Sequence, residues 1–167
     1  MKGNIFSPEY IVSNAIALLL LGIVFWRPFT ARVILSVIFL GAAIVNGVVA
    51  IYRPQTYLNY ADVAALPAYE NFILGYFSHH ITLIVCTIAV LQLLAGVFMT
   101  FRNVLGPIAL AGAAFFLVAI APLGAGAAFP CSILLALSCI ILIFSRRGLT
   151  AGRSRTTHSV KHVRQHH

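Results

Sequence analysis

Acidic residues are almost absent from this chain, which has 3 Asp and Glu against 11 Lys and Arg among its 167 residues. Glu9, Asp62 and Glu70 are the three acids, and none of them lies within a long apolar stretch. Proton-coupled pumps and ion-driven transporters usually keep an ionisable residue near the middle of the membrane. The scarcity of acids therefore disfavours that class, and the sequence holds no arrangement of residues typical of a catalytic centre.

Cysteine is also scarce, and the three cysteines form no C-x-x-C motif. Cys86, Cys131 and Cys139 lie in or at the edge of apolar stretches, where cysteine most often serves as a small packing residue. Helical rise places Cys86 and Cys139 at similar depths, about 10 to 14 Å below one membrane face. A redox pair between these two thiols is therefore an alternative to packing. Cys131 lies two helical turns from Cys139, which is too far for a disulfide.

Apolar residues are abundant and occur in five stretches. They make up 61% of the chain, and the mean hydropathy is +1.00, far above that of a water-soluble domain. About 18 or more uncharged residues can cross the hydrocarbon core as a helix. Pro122, Gly124, Gly126 and Pro130 divide the longest stretch into two helices. The sequence therefore predicts an all-α, polytopic transmembrane helix bundle with spans at residues 10–26, 33–52, 80–101, 104–121 and 129–144.

The positive charges alternate between the gaps that separate these spans. Arg27 and Arg32 lie in the first gap and Arg102 in the third, whereas the second gap holds Arg53 with two of the acids. Six more basic residues follow residue 145: Arg146, Arg147, Arg153, Arg155, Lys161 and Arg164. Cytoplasmic loops carry an excess of Lys and Arg. The pattern predicts an N-terminus outside, a cytoplasmic C-terminus and a multi-pass protein of the plasma membrane, the inner membrane of a bacterium.

The chain divides into a transmembrane bundle, residues 1–145, and a polar tail, residues 146–167. The first span is predicted to be a retained helix, because residues 26–29 lack the small-residue pattern of a cleavage site. The tail has no apolar period and is predicted to be disordered in the cytoplasm. It serves as a topology anchor or as a contact for anionic lipids, to which each basic residue near the surface adds about 1 kcal/mol. The predicted partners are the bilayer, these lipids and other membrane protein subunits, without nucleic acid.

The outer linker, residues 53–79, is the best candidate for a site. With the residue that follows it, the linker holds all the ionisable side chains close to the outer mouth of the bundle: Arg53, Asp62, Glu70, His79 and His80. Arg53 could pair with Asp62 or Glu70 and hold the linker over the helices. A histidine and a carboxylate could form a metal or proton site. Adjacent histidines point about 100° apart on a helix, however, and no metal site is predicted.

Aromatic residues are frequent in the same linker. Such residues are typical of the belt that lies at a membrane interface. Residues 62–66 could form one turn of a helix on the membrane surface, and Pro67 would stop that turn.

Two amide side chains inside the spans are the other candidates for a site, because polar groups are costly in a bilayer unless they find partners. Asn46 lies in the second span and Gln92 in the third. They could bind a polar head group or a quinone carbonyl. The simpler interpretation is a hydrogen bond between helices, worth about 0.6 kcal/mol on average.

Several short segments resemble the DoxX-like superfamily of membrane proteins. The segments are residues 31–40, Asn46-Gly47, Pro54 with Tyr57-Leu58, residues 66–69 and residues 91–96. The resemblance implies a four-helix core over about residues 31–145, with the first span as an addition. It also implies that Asn46 and Gln92 line the bundle, with the linker above them. Family members often carry an acidic residue where this chain has Gln92, and some are associated with quinone-linked sulfur oxidation or thiol-redox complexes.

Together these patterns predict a non-catalytic accessory subunit of a larger membrane complex, such as a redox complex. Two alternatives stay open. One is a quinone- or thiol-linked oxidoreductase that uses Cys86, Cys139 or a bound quinone. The other is a small-molecule carrier, which the missing midplane charge disfavours. No cofactor is predicted, apart from the quinone of the first alternative.

Overall fold

The computed structural model describes residues 8–127 and 129–145, and this part of the chain consists of helices joined by short turns, without a strand. The α-helices are α1 (Pro8–Trp26), α2 (Pro28–Tyr52), α3 (Tyr60–Val63), α4 (Pro67–Phe72), α5 (Ile81–Met99), α6 (Leu105–Ile120) and α7 (Cys131–Phe144). Two 3₁₀ segments (Pro54–Asn59 and Ala121–Ala127) and a π-helical segment (Ile73–Phe77) complete the elements. The predicted all-α fold is confirmed. The predicted tail, residues 146–167, lies outside the described residues.

Three of the helices are long and apolar enough to cross a membrane, as in a membrane protein. They cover Pro28–Tyr52, Ile81–Met99 and Leu105–Gly124, where the last includes the 3₁₀ turns that continue α6. Residues Tyr10–Trp26 of α1 and all of α7 are shorter apolar helices. Helix α7 has 14 residues, so it is about 21 Å long.

The five apolar helices α1, α2, α5, α6 and α7, called the long helices below, form a ring in which each one makes its main contacts with two neighbours. Helix α1 contacts α2, α2 contacts α5, α5 contacts α6, α6 contacts α7, and α7 contacts α1. The connections therefore alternate between two ends of the bundle. We call them the basic end, with Arg27 and Arg102, and the lid end, with the segment from Pro54 to Phe77. We call that segment the lid.

Arg32 lies inside α2 and not in the gap where the sequence analysis placed it. Helix α2 begins at Pro28, five residues earlier than predicted, because proline is well tolerated in the first turn of a helix. Arg32 is only 5% exposed, and its Nη2 donates a hydrogen bond to the Leu142 carbonyl at 3.1 Å. That carbonyl is in the last turn of α7, where partial negative charge favours a cation. Arg32 thus caps α7 at the basic end.

Helices α2 and α5 approach each other closely at Gly96. The Ser36 hydroxyl of α2 donates a hydrogen bond to the Gly96 carbonyl at 2.6 Å. A Cβ added at Gly96 would lie 2.9 Å from Cγ of Leu40 and 3.1 Å from the Ser36 carbonyl oxygen. Helices in a bilayer associate chiefly through close packing and interhelical hydrogen bonds. Glycine is therefore required here.

We predict that Gly96→Ala lowers the free energy of unfolding by about 1–3 kcal/mol, because the added methyl group forces α2 and α5 apart. Gly41→Ala in α2 is the matched control, since a Cβ there meets nothing within 4 Å. The control should change stability by less than about 1 kcal/mol, in the stabilising direction, because alanine favours a helix more than glycine does. Thermal unfolding in a mild detergent measures both. Equal stability of the two variants would contradict the close approach.

Candidate functional site

The lid is a folded layer over one end of the bundle. Its buried residues are Tyr57, Ala61, Ile73 and Phe77, which pack with Ala50, Ile81 and Val85 of α2 and α5. Part of the lid's aromatic set is therefore a small core, although Tyr76 remains 64% exposed. The predicted surface turn at residues 62–66 is wrong in its bounds, since α3 ends at Val63. Pro67 does not end a helix but is the first residue of α4, and the first turn is the favoured place for proline in a helix.

The lid is hydrogen-bonded to the reversal between α6 and α7. The Ala65 N–H donates to the Pro122 carbonyl at 2.9 Å, and the Tyr69 hydroxyl donates to the Ala119 carbonyl at 2.6 Å. Pro122 has no N–H for the carbonyl three residues before it, and the Tyr69 hydroxyl supplies a donor there. Gly124 has φ +64°, and a Cβ there would lie 2.9 Å from the Val63 carbonyl oxygen. The prolines and glycines that were predicted to separate two helices thus form a turn, and the lid packs against that turn.

A cavity of about 440 Å³ lies beneath the lid, between α2, α5 and α6. Most of its wall is aliphatic or aromatic, and five residues contribute an amide or a phenol. The lining residues are Ala42, Asn46, Tyr57, Tyr60, Tyr69, Phe72, Ile73, Phe77, Ile84, Val85, Ile88, Gln92, Phe116, Ile120 and Leu123. None of these lining residues carries a charge. The cavity therefore suits a neutral guest.

The polar part of the cavity is a chain of three hydrogen-bonded side chains. Asn46 Nδ2 donates to Gln92 Oε1 at 2.8 Å, which joins α2 to α5. The Tyr57 hydroxyl of the lid donates to Asn46 Oδ1 at 3.0 Å and lies 3.3 Å from the Asn46 carbonyl oxygen. The structure thus brings the two predicted amides together. Tyr57 is a site residue that the sequence does not reveal, because only the folded lid brings it to α2.

The phenols of Tyr57 and of its neighbour Tyr60 are held in their neutral form. Burial raises the pKa of Tyr57, and nearby Tyr60 and Cys86 raise it further. Burial likewise raises the pKa of Tyr60. Their rings lie 5.9 Å apart between centroids. Both hydroxyls therefore keep their protons, and remain hydrogen-bond donors, throughout the physiological pH range.

The predicted ionisable residues of the linker do not converge. Within the described residues, Arg53 forms no salt bridge with Asp62 or Glu70, and both Arg53 and Asp62 are exposed. His79 is exposed, whereas the ring of His80 stacks on Tyr76 at 4.6 Å, with Nδ1 3.1 Å from the Tyr76 carbonyl oxygen. In the same part of the chain, no three His, Cys, Asp or Glu residues lie close enough to hold a metal ion.

The cysteines are likewise separate. Cys139 is fully buried in the main core, to which all five apolar helices contribute, and Cys86 packs at the edge of the lid core. All three thiols are free. The suggested Cys86–Cys139 pair is therefore not assembled in this structure.

The geometry of the cavity is the basis for assigning a function. No protein-family model, curated protein or solved structure matches this chain. The resemblance to the DoxX-like superfamily accordingly stays an expectation.

Proposed function

We propose that this protein is a small, non-catalytic integral membrane protein that binds a neutral, largely apolar molecule beneath the lid and serves as a subunit of a larger membrane assembly. The observation that carries the proposal is the cavity of about 440 Å³. Small-molecule sites are typically cavities of about 300–1,000 Å³, with mostly apolar walls and a few placed polar groups. This cavity matches that description.

The chemistry of the wall favours binding over catalysis. Carboxamides and neutral phenols with raised pKa values do not exchange protons readily near pH 7. The cavity wall also lacks a nucleophile beside a base. The bound molecule is neutral because a charge placed in an apolar cavity without a partner is costly. A thiol oxidoreductase is not supported, since the described thiols lie apart.

The resemblance to the DoxX-like superfamily supports the proposal at two positions, Asn46 and Gln92. Asn46 and Gln92 face one another inside the bundle, and the lid lies above them, as that resemblance implies. A quinone fits the proposed ligand class by size and neutrality, and so keeps the quinone-linked alternative open. The carrier alternative gains no support, because no charged residue lines the cavity.

Blocking the cavity tests the binding function. Ala42 lines the cavity, so Ala42→Trp should fill part of it, whereas Ala111→Trp places the same side chain on an exposed position of α6. We expect a small neutral molecule, at about one per protein, in organic extracts of the wild-type protein and of Ala111→Trp. Ala42→Trp should lose most of it. Mass spectrometry of extracts from protein purified in mild detergent makes the measurement, and equal recovery from both variants would contradict the proposal.

The membrane arrangement is part of the same proposal. We propose five crossings with the basic end in the cytoplasm and the lid outside. The alternation of connections between the two ends supports it, as does the position of Arg27, Arg32 and Arg102 toward a single end.

Labelling of single cysteines tests that arrangement. Asp62 in the lid and Val104 at the basic end are both exposed, so each can be replaced by Cys in a chain whose native cysteines are Ala. A membrane-impermeant maleimide should label Asp62→Cys in intact cells. It should label Val104→Cys only after the membrane is opened. Labelling of Val104→Cys in intact cells would exclude a cytoplasmic basic end.

A further inference from the structure

The direction of the hydrogen bonds in the cavity determines which amide nitrogen stays wholly unpaired among the described residues: Asn46 Nδ2 uses one N–H, whereas Gln92 Nε2 uses neither. The Tyr60 hydroxyl is the other unpaired donor in the wall, within the same part of the chain. The Tyr57 hydroxyl donates its one hydrogen toward Asn46, and Asn46 in turn donates to Gln92 Oε1. Asn46 Oδ1 and Gln92 Oε1 therefore each accept a hydrogen bond. The direction runs from the lid through α2 into α5 and ends at the amide nitrogen of Gln92.

Gln92 Nε2 is an unsatisfied donor in a buried side chain. Gln92 is 6% exposed and lines the cavity. Among the described residues, its nitrogen has no hydrogen-bond partner, although a carboxamide nitrogen carries two N–H groups. The nitrogen is not one of the fully buried, unpaired polar atoms of the described residues, so part of its surface stays open to the cavity. An acceptor placed in the cavity can therefore reach it and form a hydrogen bond.

Resting on the binding function proposed above, we infer that the ligand is a neutral, largely apolar molecule with a carbonyl oxygen that accepts a hydrogen bond from Gln92 Nε2. A ketone, an ester or another carbonyl on an apolar skeleton meets this requirement. A carboxylate does not, because no cation lines the cavity. Nearby Ile88, Phe116 and Ile120 offer only apolar surface, so the rest of the molecule is a ring or a chain.

Three probes with one skeleton isolate the carbonyl. In 2-acetylnaphthalene, 1-(2-naphthyl)ethanol and 2-ethylnaphthalene, the same carbon carries a carbonyl oxygen, a hydroxyl or only hydrogen. Saturable binding is measured with the full chain in nanodiscs and corrected for uptake by protein-free nanodiscs. The ketone should bind about three- to tenfold more tightly than the hydrocarbon, as expected for one net hydrogen bond. It should bind at least as tightly as the alcohol.

Variants of one helix assign the preference to Gln92. Gln92→Leu alone would also free the Asn46 Nδ2 donor, so it is made in an Asn46→Leu background. Asn46→Leu alone should keep the preference for the ketone, whereas Asn46→Leu/Gln92→Leu should bind the ketone and the hydrocarbon equally. Thr87→Val is the matched control, because Thr87 is exposed on the same helix and its hydroxyl bonds the Leu83 carbonyl of its own turn; it should keep the preference. Infrared spectra of ketone labelled with ¹³C at the carbonyl, bound to the wild-type protein, test the bond without a variant. The carbonyl band should shift to lower wavenumber relative to the ketone in lipid.

Each contrary outcome has a distinct meaning. The carbonyl inference would be overturned if the alcohol bound more tightly than the ketone, if the three probes bound equally, or if the carbonyl band did not shift. The proposed binding function would still stand in those cases, provided that Ala42→Trp loses binding of all three probes. A preference that persists in Asn46→Leu/Gln92→Leu, or that is already lost in Asn46→Leu alone, would overturn the assignment to Gln92. No saturable binding of any probe, or binding that Ala42→Trp does not weaken, would overturn the proposed function and this inference together.

Discussion

Inside a bilayer there is no water to satisfy a polar group, so each one needs a partner within the protein. This constraint accounts for the contacts that join the long helices. Ser36 of α2 donates to the Gly96 carbonyl, and Thr82 of α5 donates to the Ala50 carbonyl. These two bonds cross the α2–α5 interface in opposite directions and at different heights. Together with the Asn46–Gln92 bond they fix the register of the pair, which apolar packing alone would leave free to slide.

The same constraint explains why the lid is part of the fold and not a loose loop. At the end of α6, the Ala119 carbonyl cannot accept a hydrogen bond from Pro122, which has no N–H. At the cavity, Asn46 Oδ1 is a second acceptor that needs a donor. Tyr69 and Tyr57 of the lid supply the two missing donors. Loss of the lid would therefore expose unsatisfied groups on both α2 and α6. The lid and the helices stabilise each other.

The sequence predicted the parts of the fold that depend on local composition. The ends of the long helices lie within a few residues of the predicted spans, because charges and prolines bound each apolar stretch. Arg32 was misplaced because one positive charge looks the same in a gap and in a helical turn. Its true role needs the carbonyl of Leu142, 110 residues away along the chain. The pairing of Tyr69 with Ala119, 50 residues apart, was beyond local pattern for the same reason.

The site residues likewise differ in whether the sequence alone could identify them. Asn46 and Gln92 were identifiable because amides are rare in apolar spans. Their pairing was the simpler of the two interpretations considered, and the structure contains it. Yet the pairing does not exclude a ligand role, because one bond between two carboxamides leaves a nitrogen of Gln92 unused. A purely structural pair could have bonded that nitrogen to a carbonyl, as the hydroxyls of Ser36 and Thr82 are bonded. Gln92 instead lines a cavity, and that difference supports the proposed ligand role over a purely structural one.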